Sequence, residues 1–157
     1  MKAVTVREIK KELNMLSNQE LQNLCLRLSR FKAENKELLT YLLFESENEN
    51  SYIESVKNFM DNEFEIINAD SYYYIRKSVR KILRHVKKFI RYSQKKDTEV
   101  ALLLYFCEKL KDFSPSISKS TQLQNTYNRQ ILLAKKAIST LHEDLQYDYN
   151  LILEDLQ

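Results

Sequence analysis

Residues 71–96, SYYYIRKSVRKILRHVKKFIRYSQKK, carry ten Lys or Arg residues and no Asp or Glu. Apolar residues recur in this stretch at alternating spacings of three and four, which is the period of one face of an α-helix. Because such a face must be buried, the stretch predicts an amphipathic helix packed against a core. The apolar positions are Tyr72, Ile75, Val79, Ile82, Leu83, Val86, Phe89 and Ile90.

The side of this helix opposite the apolar face is cationic. At about 100° per residue its charged side chains fall on one contiguous arc, called here the basic arc: Arg76, Lys77, Arg80, Lys81, Arg84, Lys87, Lys88 and Arg91. Tyr73 lies on the same arc, where an aromatic ring among cations suits nucleic-acid contact. The basic arc with Tyr73 is therefore the predicted contact surface for nucleic acid or an acidic partner.

The chain of 157 residues contains no glycine and a single proline, Pro115. Rossmann fingerprints, Walker loops and the nucleophile elbow of α/β-hydrolases need glycine where the backbone takes a positive φ or approaches a ligand closely. The primed turns of tight β-hairpins need it as well. The composition therefore excludes these sites in standard form and disfavours β-structure.

Helix-start signals recur along the chain. Thr5 to Glu8 and Ser17 to Glu20 both have the capping-box form, and together they predict a helical hairpin. That hairpin is loosely similar to the two-helix SAP module that binds DNA, but it lacks the longer glycine-bearing connection of that module, so a structural hairpin is favoured. Further helices are predicted at about 34–44, from 52 to 67, at 71–96, from 97 or 98, and from about 121 onward. Thr140 to Glu143 also has the capping-box form, which leaves open whether the last helix is continuous or is kinked or split there.

These patterns and the length predict one all-α domain spanning residues 1–157, built as a bundle of about six to eight helices. Within it, residues 45–70 hold eight acidic residues and one lysine, directly before the strongly basic helix. The linker 68–70 is so short that the acidic and the basic helix should form an antiparallel hairpin. We therefore expect the basic arc to be partly neutralised by acidic residues of the preceding helix, namely Glu54, Asp61, Glu63 and Glu65.

Residues able to carry catalysis or bind a metal are few. Cys25 and Cys107 stand alone in apolar helical stripes, which predicts buried, unreactive thiols. His85 and His142 have no partners at metal-ligand spacing, so no catalytic, metal or cofactor-binding residue is predicted and the protein is expected not to be an enzyme. If chemistry were present, it would gather around His85, Tyr74 and Tyr92.

Three segments in this order resemble a family of small, all-helical bacterial proteins of unknown function: 6–21, VREIKKELNMLSNQEL; 98–110, TEVALLLYFCEKL; and 126–141, TYNRQILLAKKAISTL. The resemblance covers most of the chain and rests on packing patterns. It implies an all-helical intracellular protein, and it carries over no activity and no functional residue.

Two functions follow as hypotheses. The first is a non-enzymatic, cytoplasmic helical protein that serves protein–protein interaction or scaffolding with an unidentified partner; the alternative is a nucleic-acid-binding protein that uses helix 71–96.

No membrane partner is expected, because the longest apolar run, 100–107, is far shorter than the ~20 residues that span a bilayer and no signal-peptide core is present. No small-molecule substrate is identifiable. Exposure of the basic arc in the folded chain would favour the alternative.

Overall fold

The computed structural model describes all 157 residues and contains eight α-helices and no strand, which confirms the predicted all-α class. The helices are α1 (Val6–Leu13), α2 (Asn18–Phe31), α3 (Ala33–Thr40), α4 (Glu49–Glu65), α5 (Tyr72–Ser93), α6 (Lys96–Lys111), α7 (Thr121–Ile138) and α8 (Glu143–Leu156). A π-helical turn, Tyr41–Glu45, follows α3, and a 3₁₀ turn, Ile117–Lys119, precedes α7. None of the helices combines the length and the hydropathy that a membrane span requires.

The chain divides into two compact units, an N-terminal unit (Met1–Phe44) and a C-terminal unit (Glu45–Gln157). The organisation of residues 1–157 as one domain stays a prediction.

Both predicted capping boxes are present in the N-terminal unit. The Thr5 hydroxyl accepts from the Glu8 amide at 3.3 Å while the Glu8 carboxylate accepts from the Thr5 amide at 2.8 Å, and Ser17 and Glu20 repeat this arrangement before α2. Each box satisfies amide groups that a helix start would otherwise leave unpaired. These local signals were therefore sufficient to place α1 and α2.

The N-terminal unit buries much less than its apolar stripes suggest. No residue of α1, α2 or α3 is buried. The apolar spacing within 34–44 predicts burial of Leu38, Leu39, Leu42 and Leu43, but Leu38, Leu42 and Leu43 are exposed. Cys25, predicted to be buried, is exposed as well, whereas Cys107 of α6 is fully buried as predicted. Three short helices form too small a unit to enclose an interior, so their apolar stripes stay accessible to solvent.

Helix α6 is the centre of the C-terminal unit. It packs against α4, α5, α7 and α8, and the apolar stretch 100–107 is helical and enclosed, as expected for the most interior element. Helix α5 contributes its predicted stripe, with Ile75, Val79, Ile82 and Val86 at 1% exposure or less. The apolar side of α5 is thus fixed on the core, and its basic arc is on the other side.

Helices α4 and α5 form the predicted antiparallel hairpin. Near one end the Tyr52 hydroxyl donates to the Phe89 carbonyl at 3.0 Å, and near the other Lys81 contacts Glu63 at 2.9 Å. Between them the Phe59 ring packs edge-on against both His85 and Phe89. The α5 N-cap is Ser71. The C-cap is Gln94, which takes a left-handed conformation with φ of 58° in a chain that has no glycine for this position.

A carboxylate ties the start of α4 to the α5–α6 junction. Glu49 accepts hydrogen bonds from the hydroxyls of Ser93 and Thr98, and its second oxygen lies 2.8 Å from Lys95 Nζ. Thr98 is fully buried and Ser93 is 8% exposed. Glu49 therefore accepts from the hydroxyls of two buried residues.

The last helical region is split near Thr140, because α7 ends at Ile138 and α8 begins at Glu143. The predicted capping box at 140–143 is wrong. Thr140 instead donates to the Ala137 carbonyl at the end of α7, and the N-cap of α8 is His142, whose side chain makes no capping hydrogen bond.

Candidate functional site

Side chains of α5 and α7 line two adjoining concavities of about 890 and 550 Å³. Both concavities are lined by Arg80, Arg84 and Gln122, so they adjoin, and together they are called here the basic groove. The α5 wall consists of Tyr73, Arg76, Lys77, Ser78, Arg80, Lys81, Leu83, Arg84, Lys87 and Arg91. The α7 wall consists of Gln122, Asn125, Thr126, Arg129 and Gln130.

The packing on α6 creates this groove. Both α5 and α7 contact α6, and α7 buries Leu123, Tyr127 and Ile131 in the core. Because the apolar faces of both helices turn inward, their polar faces border the same open surface. Leu83 and Gln130 are the least exposed apolar and polar residues of the lining and form its floor.

The groove is strongly cationic. Eight Lys or Arg side chains line it and no Asp or Glu does. Only one of the eight, Lys81, makes an ion pair, with Glu63, and the Lys81 side chain is still 52% exposed. The other seven have no carboxylate within ion-pairing distance: Arg76, Lys77, Arg80, Arg84, Lys87, Arg91 and Arg129.

The expected neutralisation by the acidic helix is therefore mostly wrong. Of the four carboxylates, only Glu63 reaches the basic arc. Glu54 pairs with Lys57 on its own helix, and Asp61 turns to α6, where it contacts Lys109 at 2.9 Å and accepts from the Tyr105 hydroxyl at 2.8 Å. Glu65 is exposed and makes no ion pair.

The rotation of α4 about its axis explains this difference. The side of α4 that meets α5 is set by Tyr52 and Phe59, which contact Phe89 and His85. With those rings in the interface, the side bearing Asp61 faces α6 instead. Opposite charge and adjacency in sequence did not suffice to bring the acidic residues to the basic arc.

Two cations from different helices lie close to each other in the groove. Lys87 of α5 is half-buried, and burial lowers the pKa of its ammonium group, an effect that the nearby Arg129 guanidinium of α7 reinforces. Like charges at short range repel, and no carboxylate offsets the repulsion here. This end of the groove is therefore suited to an anionic group.

Eight of the nine predicted contact residues line the groove; Lys88 does not, and its Nζ lies 5.3 Å from the Phe89 ring centroid. Tyr73 lies at the N-terminal end of α5 and is 63% exposed, with its ring edge-on to Tyr74 at a centroid distance of 5.4 Å. The aromatic ring is thus next to the cations and open to solvent.

Sequence reasoning did not find the α7 wall. Gln122, Asn125 or Thr126, and Arg129 recur at spacings of three and four opposite the apolar stripe, which marks a polar face. That signal alone does not say which neighbour the face borders. Arg129 joins the basic arc only because α5 and α7 pack on the same central helix.

The residues considered for catalysis, His85, Tyr74 and Tyr92, are spread along α5, and the Tyr92 ring lies 6.2 Å from that of Phe89. His85 packs against Phe59, and Tyr74, eleven residues or about 16 Å earlier along α5, packs against Tyr73. Burial lowers the pKa of His85, and Lys88, Arg84 and Lys81 lower it further while Glu63 raises it. No group of three or more His, Cys, Asp or Glu residues is arranged to hold a metal ion.

Comparisons of this chain with protein-family models, with curated proteins and with solved structures find no match. The resemblance to a bacterial family of all-helical proteins therefore stays a prediction. The basic groove is therefore the feature of the chain that bears on its function.

Proposed function

We propose that this protein binds nucleic acid through the basic groove. The observation that carries the proposal is a lining of eight cationic side chains that contains no carboxylate and has only one ion pair. A surface of this kind binds a polyanion by releasing the counterions condensed on the phosphates. An acidic protein partner would be attracted as well, but it offers no regular spacing of charge.

The arrangement of the cations supports a repeating anion over a single phosphate. Arg76, Arg80, Arg84, Lys87 and Arg91 follow one another at steps of three or four residues. At 1.5 Å per residue they extend over about 22 Å of the helix, with successive steps of roughly 4.5 to 6 Å. Such a row can contact several phosphates of one backbone at once.

The test is a comparison of two variants with equal loss of charge. Arg80→Gln, Arg84→Gln and Arg91→Gln together remove three groove cations, whereas Lys119→Gln, Lys135→Gln and Lys136→Gln remove three exposed cations outside the groove. Affinity for a fluorescein-labelled oligonucleotide is measured by anisotropy across a salt series. We expect the groove variant to lose at least about tenfold in affinity. The slope of log K against log salt should become less negative by about two, since each lost phosphate contact removes ~0.7 to 0.9 from its magnitude.

The control variant should keep the slope of the unmodified protein and most of its affinity. Equal effects of the two triple variants would refute the groove as the binding surface. Circular dichroism of both variants at the same salt checks that helicity is unchanged.

A second candidate function is protein–protein interaction through the N-terminal unit. Val6, Met15 and Phe31 are each more than 75% exposed, and a concavity of about 430 Å³ in this unit is lined mainly by apolar side chains. Exposed apolar surface of this kind often marks a contact site for another protein. A partner bound there would be retained by the triple groove variant, which separates this function from nucleic-acid binding.

A further inference from the structure

The shape of the basic groove bears on which form of nucleic acid it accepts. An α-helix with its side chains is about 10–12 Å across and fits the ~12 Å major groove of B-DNA only when it protrudes from its domain. Here the cations of α5 share a concave surface with Gln122, Asn125 and Arg129 of α7, and α4 packs along α5 as its hairpin partner. Helix α5 therefore cannot enter a major groove without carrying the α7 wall with it.

A single-stranded nucleic acid has a backbone flexible enough to follow this groove. Its backbone can follow a straight row of cations, whereas each strand of a duplex winds away from a straight contact line. Proteins that bind single strands combine such a positively charged groove with aromatic rings on which bases stack. The groove has both components, because Tyr73 lies among the cations at one end.

The α7 wall adds groups that a single strand can use. Gln122 and Asn125 border the groove and are exposed, and their side-chain amides make no hydrogen bond within the protein. The hydrogen-bonding edges of unpaired bases are free to bond such amides, but those of a duplex are used in base pairing. These side chains lie across from the cations that would hold the phosphates.

Tyr73 differs from most tyrosines of the chain. The hydroxyls of Tyr72, Tyr105, Tyr127 and Tyr149 donate to acceptors within the protein, which fixes their rings. Tyr73 makes no hydrogen bond through its hydroxyl, and its ring is 63% exposed. One face of this ring is therefore open to a base, and the edge contact with Tyr74 limits its movement.

We infer that the basic groove takes a single-stranded segment of DNA or RNA, with its phosphates along the α5 cations and one base stacked on Tyr73. The inference rests on the proposed function, since it specifies the ligand of the same groove.

The experiment measures anisotropy of a labelled 20-nucleotide oligothymidine, an oligouridine of equal length and a 20-base-pair duplex at the same salt concentrations. We expect the single strands to bind at least about tenfold more tightly than the duplex, with a salt slope near −0.7 per phosphate contacted, where a duplex gives about −0.9. Tyr73→Ala should weaken single-strand binding roughly tenfold, since base stacking on an aromatic ring contributes about one to two powers of ten. Its effect on the salt slope should be small, because Tyr73 carries no charge.

Two further variants separate stacking from structure. Tyr73→Phe keeps the aromatic ring and should retain the affinity, while Tyr147→Ala removes a tyrosine that is 68% exposed on α8, outside the groove, and should have no effect. Equal or tighter binding of the duplex, or unchanged single-strand affinity in Tyr73→Ala, would overturn the inference. In either case loss of binding in the triple groove variant would still uphold the proposed function, whereas absence of binding to all three probes would refute both.

Discussion

The two cysteines occupy opposite environments, and their reactivity should show it. Cys107 lies inside α6 at 0% exposure, where burial raises the pKa of its thiol to about 12, while Cys25 of α2 is exposed. Thiol reagents attack the thiolate, which requires both access and deprotonation. Cys107 offers neither in the folded chain.

We expect Ellman's reagent at pH 7.5 to modify one thiol per chain rapidly and the second only in denaturant. Cys25→Ser should abolish the rapid phase, and Cys107→Ala should leave it intact. Two rapid phases in the folded protein would contradict the enclosed position of Cys107.

His85 should make the stability of the protein sensitive to mild acid. Burial and the cations Lys88, Arg84 and Lys81 lower the pKa of this imidazole from its ordinary value of 6.5, and Glu63 only partly opposes them. Its Nδ1 atom is buried without a hydrogen-bond partner, and Phe59 packs against the ring. The folded protein therefore favours the neutral form of His85 more strongly than the unfolded chain does.

Because the folded pKa lies below the unfolded one, the unfolded chain takes up the proton first as the pH falls. The stability due to neutral His85 is complete above about pH 6.5 and declines below it. Urea unfolding at pH 7.5 and pH 5.5 should show a smaller pH effect for His85→Gln than for the unmodified protein. His142→Gln keeps His85 in place and should retain the full effect; a His85→Gln profile identical to that of the unmodified protein would refute this assignment.

At the scale of the helices, Glu49 joins elements that are distant in sequence. Its carboxylate holds the start of α4 against Ser93 and Thr98 at the α5–α6 junction. Removing it would leave the protons of two buried hydroxyls without an acceptor, and each unsatisfied buried group costs about 1–3 kcal/mol. The contact therefore stabilises the hairpin of α4 and α5 at its open end.

Glu49→Ala should lower the free energy of unfolding by about 2–4 kcal/mol, since both hydroxyls lose their acceptor. Glu54→Ala is the matched control, because Glu54 pairs only with Lys57 on its own exposed surface and should cost less than about 0.5 kcal/mol. Chemical denaturation measures both values. Equal losses in the two variants would show that Glu49 acts only as a surface charge.

The helices also show what the sequence could and could not predict. Caps at Thr5 and Ser17 depend on residues three positions apart, and the apolar stripe of α5 depends on its own helical period. Local pattern therefore sufficed to place α1, α2 and α5. The cationic wall of the groove follows from the helical period of α5 alone. The partners of Asp61 and Arg129 depend on which helices flank α4 and α7, and a single-helix pattern contains no information on that.

At the scale of the whole molecule, burial depends on whether an opposing surface exists. The stripe of α5 has the central α6 to pack against, and its apolar residues are enclosed. The stripes of α1 to α3 belong to a unit of 44 residues in which no helix is enclosed by others, so the same kind of pattern gives exposed residues such as Phe31. The helical spacing of apolar residues predicts which side of a helix can be buried, but the extent of burial depends on the other helices that pack against it.

Positive and negative side chains are likewise segregated on the folded chain, so the net charge does not describe the local charge of the groove. The formal net charge is only +3, yet the basic groove collects eight cations while Asp61 and Glu49 are engaged with other helices. A field of this kind attracts polyanions despite the modest overall charge.

A groove without carboxylates has a practical consequence for anyone who isolates the protein. Its cations repel one another when unoccupied, so cellular nucleic acid should remain attached through purification at low ionic strength and be displaced by a high-salt wash. The chain has no tryptophan and only ten tyrosines, so its own absorbance at 280 nm is weak. Even a short bound oligonucleotide will then dominate the ultraviolet spectrum, and the ratio of absorbance at 260 and 280 nm before and after the wash reports directly whether the groove left the cell occupied.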